Sequence, residues 1–418
     1  MKRLFVVILG LAFGSITPHS QGASAPSSVS AARLARIDTR LQQYVDDGRI
    51  AGAVVRVMRD GQVIYERAFG WSDKDAGRRM TTDAIFRIAS QSKAITSAAA
   101  MMLVEEGKMT LNDPVSRFIP AFAKTTVSVR KDGVATIVPA ARRITIRQLL
   151  SHTSGISYGT EPDVAPLYEA KGLGPAAGLG WYTADKDEPI CNTMERLATL
   201  PMVAQPGEAY VYGYSLDVLG CVIERASGMP LDRFIKTRIT DPLDMKDTHF
   251  FLPAADRQRL VTVYASDDEG KAVRAPEGSK GQGSYVDGPR RSFAGGAGLV
   301  STARDYMRFL EMIRNRGTLG TVTLLSPRAV ALMTTNQVGT LYSTNGMGFE
   351  TTDRMGANNF DGVGAFGWSG AYGTYYRVDP ESRTVMSLML NQLPNTTDIR
   401  TVFPVLVFQS LTDLAIRR

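Results

Sequence analysis

The chain has 418 residues, 44% hydrophobic and 21% charged, with a formal net charge of +7. This composition suits a large folded core and excludes a fibrous or disordered chain. Two cysteines and three histidines build no recognisable metal site, and no cluster of lysine and arginine interleaved with aromatics suggests a nucleic-acid partner.

Met1-Lys2-Arg3, the apolar stretch from Leu4 to Ile16 and the small residues Ala23-Ser24-Ala25 follow the plan of a secretory leader, residues 1–25. Loss of Lys2 and Arg3 lowers the formal charge from +7 to +5. The apolar stretch is too short to span a bilayer, and no later stretch reaches about 18 apolar residues. The mature protein is therefore expected to be exported, periplasmic and without a membrane span.

Leu34, Ile37, Leu41 and Val45 recur at helical spacing and predict an amphipathic helix from Ala31 to Val45. Strands from Gly52 to Val57 and from Val63 to Ala68 flank Asp60-Gly61, a hairpin signal. The short apolar run Ile85-Phe86-Arg87-Ile88-Ala89 then leads into Ser90-Gln91-Ser92-Lys93, and Ala94 to Glu106 reads as a buried helix. Residues at i and i+3 share a helix face, so Lys93 lies one turn below the Ser90 hydroxyl. A serine hydroxyl needs a base to become a nucleophile, and a lysine in apolar surroundings gives up its proton more easily. Ser90 and Lys93 are thus the candidate nucleophile and base. A serine opening a helix also sits at the positive end of its dipole.

Gly155-Ile156-Ser157-Tyr158-Gly159 matches a nucleophile elbow, but that motif needs a strand before it and a helix after it. Here a helical pattern precedes, a loop rich in proline, glycine and acids follows, and His249 is the only downstream histidine. Ser157 is read as a decoy, His152 as a residue that caps or braces a helix end, and Tyr158 as a possible lining of the cleft. Cys191 and Cys221 can pair in an oxidising compartment, or Cys221 can stay free within a buried helix. Tyr212, just before the helix that starts near Leu216, is a second acid–base candidate, since a phenol beside a lysine can accept and return a proton. Strands are expected from Ala365 to Ser369, Thr374 to Val378 and Thr384 to Leu390, and a closing helix from Thr401 to Ile416. On the first of these strands lies Gly367-Trp368-Ser369-Gly370-Ala371, whose small residues let a substrate approach the backbone.

Strands at both ends around a helix-rich middle predict an α+β fold, with an antiparallel sheet built from both chain ends and flanked by helices. The expected division is a sheet domain of residues 26–88 and 290–418 and an inserted helical domain of residues 89–289, with the site in the cleft between them.

Taken together, the Ser90–Lys93 tetrad, Tyr212 and the Trp368 strand resemble the serine β-lactamase-like hydrolases, related to class C β-lactamases and penicillin-binding DD-peptidases. Residues 107–120, 144–155 and 295–305 are also similar to that family, and the likeness runs from about residue 30 to residue 415. The resemblance implies a β-lactamase/transpeptidase-like fold and an acyl-enzyme on Ser90, with Lys93 and Tyr212 as acid–base partners. It also implies an oxyanion hole from the backbone N–H groups of Ser90 and Ala371. Trp368, Ser369, Gly370 and Tyr158 would contact the substrate, and no metal or organic cofactor is implied. Two departures narrow the reading. Tyr212-Gly213-Tyr214 stands where β-lactamases carry Tyr-x-Asn, and Trp368-Ser369-Gly370 where they carry Lys-Thr-Gly. Without that lysine the carboxylate of a β-lactam loses its cation, which favours neutral esters. The pattern is closest to the family VIII carboxylesterases, so the expected substrate is a small-molecule ester. A β-lactamase or D-amino-acid peptidase, and a cell-wall-fragment binding protein with little turnover, are the alternatives.

Overall fold

The computed structural model describes residues 28–174 and 186–413; the expected leader, residues 1–25, lies outside the described residues. Helix α1 (Ala31–Asp46) leads into strands β1 (Gly52–Arg59), β2 (Gln62–Asp73) and β3 (Arg78–Arg79). The middle of the chain contains helices α2 (Ser92–Glu105), α3 (Ile146–Leu150), α4 (Ile190–Leu197), α5 (Ser215–Ser227) and α6 (Ala303–Arg314), among shorter elements. The chain returns as β4 (Glu350–Thr351), β5 (Phe366–Ser369), β6 (Tyr375–Asp379) and β7 (Thr384–Met389), then helix α7 (Ile399–Phe408).

These strands form one seven-stranded sheet in the order β4-β5-β6-β7-β1-β2-β3. Every neighbouring pair is antiparallel, and the two chain ends meet where Val54 pairs with Met389 and Val57 with Met386. The expected antiparallel sheet built from both ends is thus present. Successive strand side chains alternate between faces, and both faces here are covered. Ala53, Val55, Val57, Met386 and Leu388 pack with Ile37 and Leu41 of α1 and Phe403 and Val407 of α7. Val54, Val385 and Met389 face the larger core, which holds Met307 and Leu310 of α6 and most of α2 and α5. Helix α2 is buried on nearly every side, as its apolar sequence predicts.

Strand β2 runs five residues past the expected Ala68, and two further features differ from the sequence reading. The last helix starts at Ile399 and ends at Phe408, short of the expected Ile416. Beyond it the backbone finds better partners than another helical turn: the Thr412 N–H donates to the Ser28 carbonyl at 3.0 Å, and the Ser30 N–H to the Ser410 carbonyl at 2.8 Å. Residues 414–418 lie outside the described residues. The second difference concerns Ser90, which occupies a 3₁₀ turn, Ala89–Gln91, ahead of the α-helix proper. Cys191 of α4 and Cys221 of α5 form a disulfide. Among the described residues no helix is long and apolar enough to cross a membrane.

Candidate active site

Ala89 is the one residue of the Phe86–Glu105 stretch with a positive φ, 42°. Such a conformation is costly for a residue with a Cβ and is typical of functional turns. It swings the chain from the core into the 3₁₀ turn and leaves Ser90 partly exposed at the mouth of a buried helix. One turn on, Lys93 is 2% exposed. Its Nζ donates to Ser90 Oγ at 3.2 Å, to Tyr158 Oη at 3.1 Å and to the Gly296 carbonyl at 2.7 Å. Three oxygen partners satisfy the three donors of an ammonium.

Tyr212 faces the same amine in a different way. The Lys93 Nζ lies 4.6 Å from the centroid of the Tyr212 ring, over its face, while the Tyr212 hydroxyl accepts a hydrogen bond from Trp368 Nε1 at 3.3 Å. The phenol that hydrogen-bonds to Lys93 is therefore that of Tyr158, a contact the sequence did not reveal. Burial, reinforced by Tyr212 and Asp217, pushes the Tyr158 phenol well above its ordinary range, so it stays protonated.

Neither tyrosine is held by regular structure. The loop after α3 zips against the segment before α5. The Val203 N–H donates to the Gly155 carbonyl at 3.0 Å, Gly207 to Thr153 at 2.7 Å and Val211 to His152 at 2.7 Å. A Cβ on Gly213 would come within 2.4 Å of the Ile156 carbonyl oxygen, so the next turn can close only with glycine. His152 takes φ 55°, a left-handed conformation that histidine tolerates better than most residues. Its ring lies 4.6 Å from that of Tyr212 and 5.8 Å from that of Tyr210. The brace expected of His152 is thus directed at the tyrosine, and burial together with the nearby Lys93 charge holds the imidazole neutral. Ser157 is fully buried, with its hydroxyl accepting from the Gly159 N–H at 2.9 Å. It closes a turn and presents no nucleophile.

The opposite wall is the end of β5. Trp368 pairs with Tyr376 and Ser369 with Tyr375, which fixes the direction of the Trp368 ring. It lies 5.6 Å from the Tyr212 ring. A Cβ on Gly370 would sit 2.4 Å from the Ile88 carbonyl oxygen. Absence of a side chain there lets the strand end lie against the turn that carries Ser90. The Gly370 N–H donates to the Thr374 carbonyl at 2.8 Å, whereas among the described residues no backbone carbonyl engages the N–H of the next residue, Ala371. Asp217, in the first turn of α5, is a further titratable group at the back of the site, fully buried. Its sequence signal is an acid set among the apolar residues 216–223 of that helix.

The assembly can perform acyl transfer: a hydroxyl within reach of an amine, two phenols beside that amine, and a strand end lying close. The matches to known proteins bear on the family. Residues 37–405 match the model of the family described as Beta-lactamase. Esterase EstB of Burkholderia gladioli is 33% identical over 384 residues, which cover 87% of this chain and 92% of EstB. Lovastatin esterase of Penicillium rubens is 32% identical over 317 residues, 72% of this chain and 73% of its own. Among solved structures, EstCE1, described as a hydrolase with promiscuous acyltransferase activity, superposes with a TM-score of 0.73 at 28% identity and covers 91% of this chain and 99% of its own. Simvastatin synthase from Aspergillus terreus reaches 0.74 at 22% identity, covering 92% of this chain and 99% of its own, a likeness of fold alone. The chain belongs to the Beta-lactamase family.

Proposed function

We propose that this protein is a secreted serine hydrolase of esterase type, which cleaves short-chain carboxylic esters through an acyl-enzyme on Ser90. The observation that carries the reading is the 3.2 Å contact between Lys93 Nζ and Ser90 Oγ, facing a strand that presents Trp368 where a β-lactam would need a cation. Two relatives named as esterases, EstB and lovastatin esterase, support the ester over the lactam. The leader and the Cys191–Cys221 disulfide support export, because disulfides persist in oxidising compartments. Tyr158, Tyr212 and Trp368 crowd the cleft with ring separations of 5.6 and 5.7 Å, which suits a short acyl group. The cleft lies between a sheet domain, residues 26–88 and 290–418, and a helical domain, residues 89–289.

In the first half-reaction Ser90 Oγ bonds to the ester carbonyl carbon as its proton passes to the Lys93–Tyr212 pair. The backbone N–H groups of Ser90 and Ala371 hold the oxygen that gains the negative charge. The C–O bond to the alcohol breaks as Tyr212, resupplied from Lys93, protonates the departing oxygen. Water then attacks the acyl carbon, its proton goes to the same pair, and the Ser90 Oγ–carbon bond breaks as the pair returns that proton to Ser90 Oγ and the acid is released. Trp368 Nε1 holds the Tyr212 hydroxyl in place, and Tyr158 steadies Lys93 as a neutral phenol. Ser369 and Gly370 border the substrate.

Turnover of p-nitrophenyl acetate beside a chromogenic cephalosporin, with Ser90→Ala as the blank, tests this reading. Fast ester cleavage with little lactam opening, both absent from the variant, is the expected result. Lactam opening as fast as ester cleavage would make the protein a β-lactamase, and ester cleavage that survives in Ser90→Ala would remove the mechanism.

A further inference from the structure

Asp217 is the most deeply buried charge beside the cleft, and the mechanism above leaves it unused. It is 0% exposed, yet an asparagine could accept the same hydrogen bond without the cost of burying a carboxylate. Its Oδ1 accepts the Gly296 N–H at 3.1 Å, and the Gly296 carbonyl accepts Lys93 Nζ at 2.7 Å. One residue, Gly296, thus separates the carboxylate from the amine, bound to the first through its N–H and to the second through its carbonyl. Its Oδ2 has no hydrogen-bond partner among the described residues. A Cβ on Gly296 would lie 2.4 Å from that oxygen, so the peptide rests directly on the carboxylate.

The strip that contains Gly296 is pinned to α2 on the other side. Thr96 Oγ1 donates to the Gly295 carbonyl at 2.8 Å, and the Leu299 N–H donates to Ser92 Oγ at 3.0 Å. Asp217 supplies the matching pin from α5, and it is the charged one. The groups that act on it electrostatically are Lys93 from α2, Tyr158 from the loop after α3 and Tyr214 at the start of α5. Lys93 alone among them is a cation. Burial raises the Asp217 carboxyl to about 6, and the Lys93 charge opposes that rise.

We propose that Asp217 is a positioning residue that holds the Gly296 peptide against Lys93 and supplies the buried counter-charge governing the protonation of that amine. The inference rests on the Ser90–Lys93 reading. A nearby carboxylate favours the ammonium form and a neutral amide does not. Asp217→Asn therefore lets the amine lose its proton at lower pH. The limb of the pH–rate profile controlled by Lys93 moves to lower pH by about one unit. It is the acid limb if the free amine is the working form, and the alkaline limb if the ammonium is.

The test is kcat and kcat/KM for p-nitrophenyl acetate across pH in wild type and Asp217→Asn, with the rate of Ser90 labelling by a fluorophosphonate measured alongside. The expected result is a limb displaced to lower pH in both assays, with the fold intact by circular dichroism. An acid that merely stabilised the first turn of α5 would change the melting temperature and leave both profiles in place, and that result overturns the proposal. If Asp217→Asn fails to fold, Asp217→Ala removes the same charge and also frees Gly296. It is then expected to show the same displacement with a lower kcat, and an unmoved limb again overturns the proposal. Wild type that neither cleaves the ester nor labels on Ser90 would instead defeat the proposed function.

Discussion

The two halves of the cleft are built by opposite means. Ser90 and Lys93 are three residues apart, and one turn at the head of a buried helix sets their 3.2 Å contact. Tyr158 and Tyr212 are 54 positions apart in the sequence, and irregular segments zipped edge to edge bring their rings to 5.7 Å. The first half is rigid because the core rigidifies it. The second is rigid only through a few backbone hydrogen bonds, one left-handed histidine and a glycine that nothing larger can replace. Mutations should therefore separate chemistry from architecture in the first half and mix the two in the second.

The largest effect is expected at Ser90. Ser90→Ala should lower ester turnover by about 10⁴-fold or more without changing the melting temperature, since nucleophile and base act as a unit. Lys93→Met should cost on the order of 10² to 10⁴-fold in kcat with KM little altered. Either variant unfolding at the working temperature would break the claim that this half separates chemistry from fold.

The tyrosines sharpen the comparison further. Tyr212→Phe should lose on the order of 10² to 10⁴-fold in kcat, as expected for a group that moves a proton. Tyr158→Phe removes a hydrogen bond from Lys93 and should cost only about 5- to 10-fold. The reverse ranking in steady-state kinetics would transfer the acid–base role to Tyr158.

Architecture comes next. Gly213→Ala places a Cβ against the Ile156 carbonyl and should destabilise the fold by about 1–3 kcal/mol, with kcat falling as Tyr212 is displaced. His152→Asn keeps a residue that tolerates φ 55° but loses the ring against Tyr212. It should lower kcat by about 3- to 10-fold. A melting curve and a kcat measurement on each variant decide whether fold and activity fall together.

The smallest effect on catalysis is expected from the disulfide. Cys191 and Cys221 join α4 to α5 one helical turn beyond Asp217. Replacing both by serine should cost about 2–4 kcal/mol in chemical denaturation and leave kcat unchanged. A fall in kcat of the size expected for Tyr212→Phe would show that α5 transmits strain to the tyrosine.

Much of this molecule was legible in its amino-acid order because the signals are local. The 3.6-residue repeat of α1, the Asp60-Gly61 turn, the strand-forming runs near both ends and the apolar α2 each report on neighbours in sequence. Their residues are arranged by backbone geometry alone. The Ser90–Lys93 spacing belongs to the same class, since one helical turn is enough to bring the groups together. The tertiary structure alone decided the remainder. It determined that Lys93 hydrogen-bonds Tyr158 and meets only the ring of Tyr212, and that His152 braces that ring. It ended α7 at Phe408 by pairing residues 410–412 with residues 28–30, and it laid the Gly296 peptide between Asp217 and Lys93. Each of these depends on which distant backbone groups satisfy one another once the core has closed, and no window of neighbouring residues carries that information.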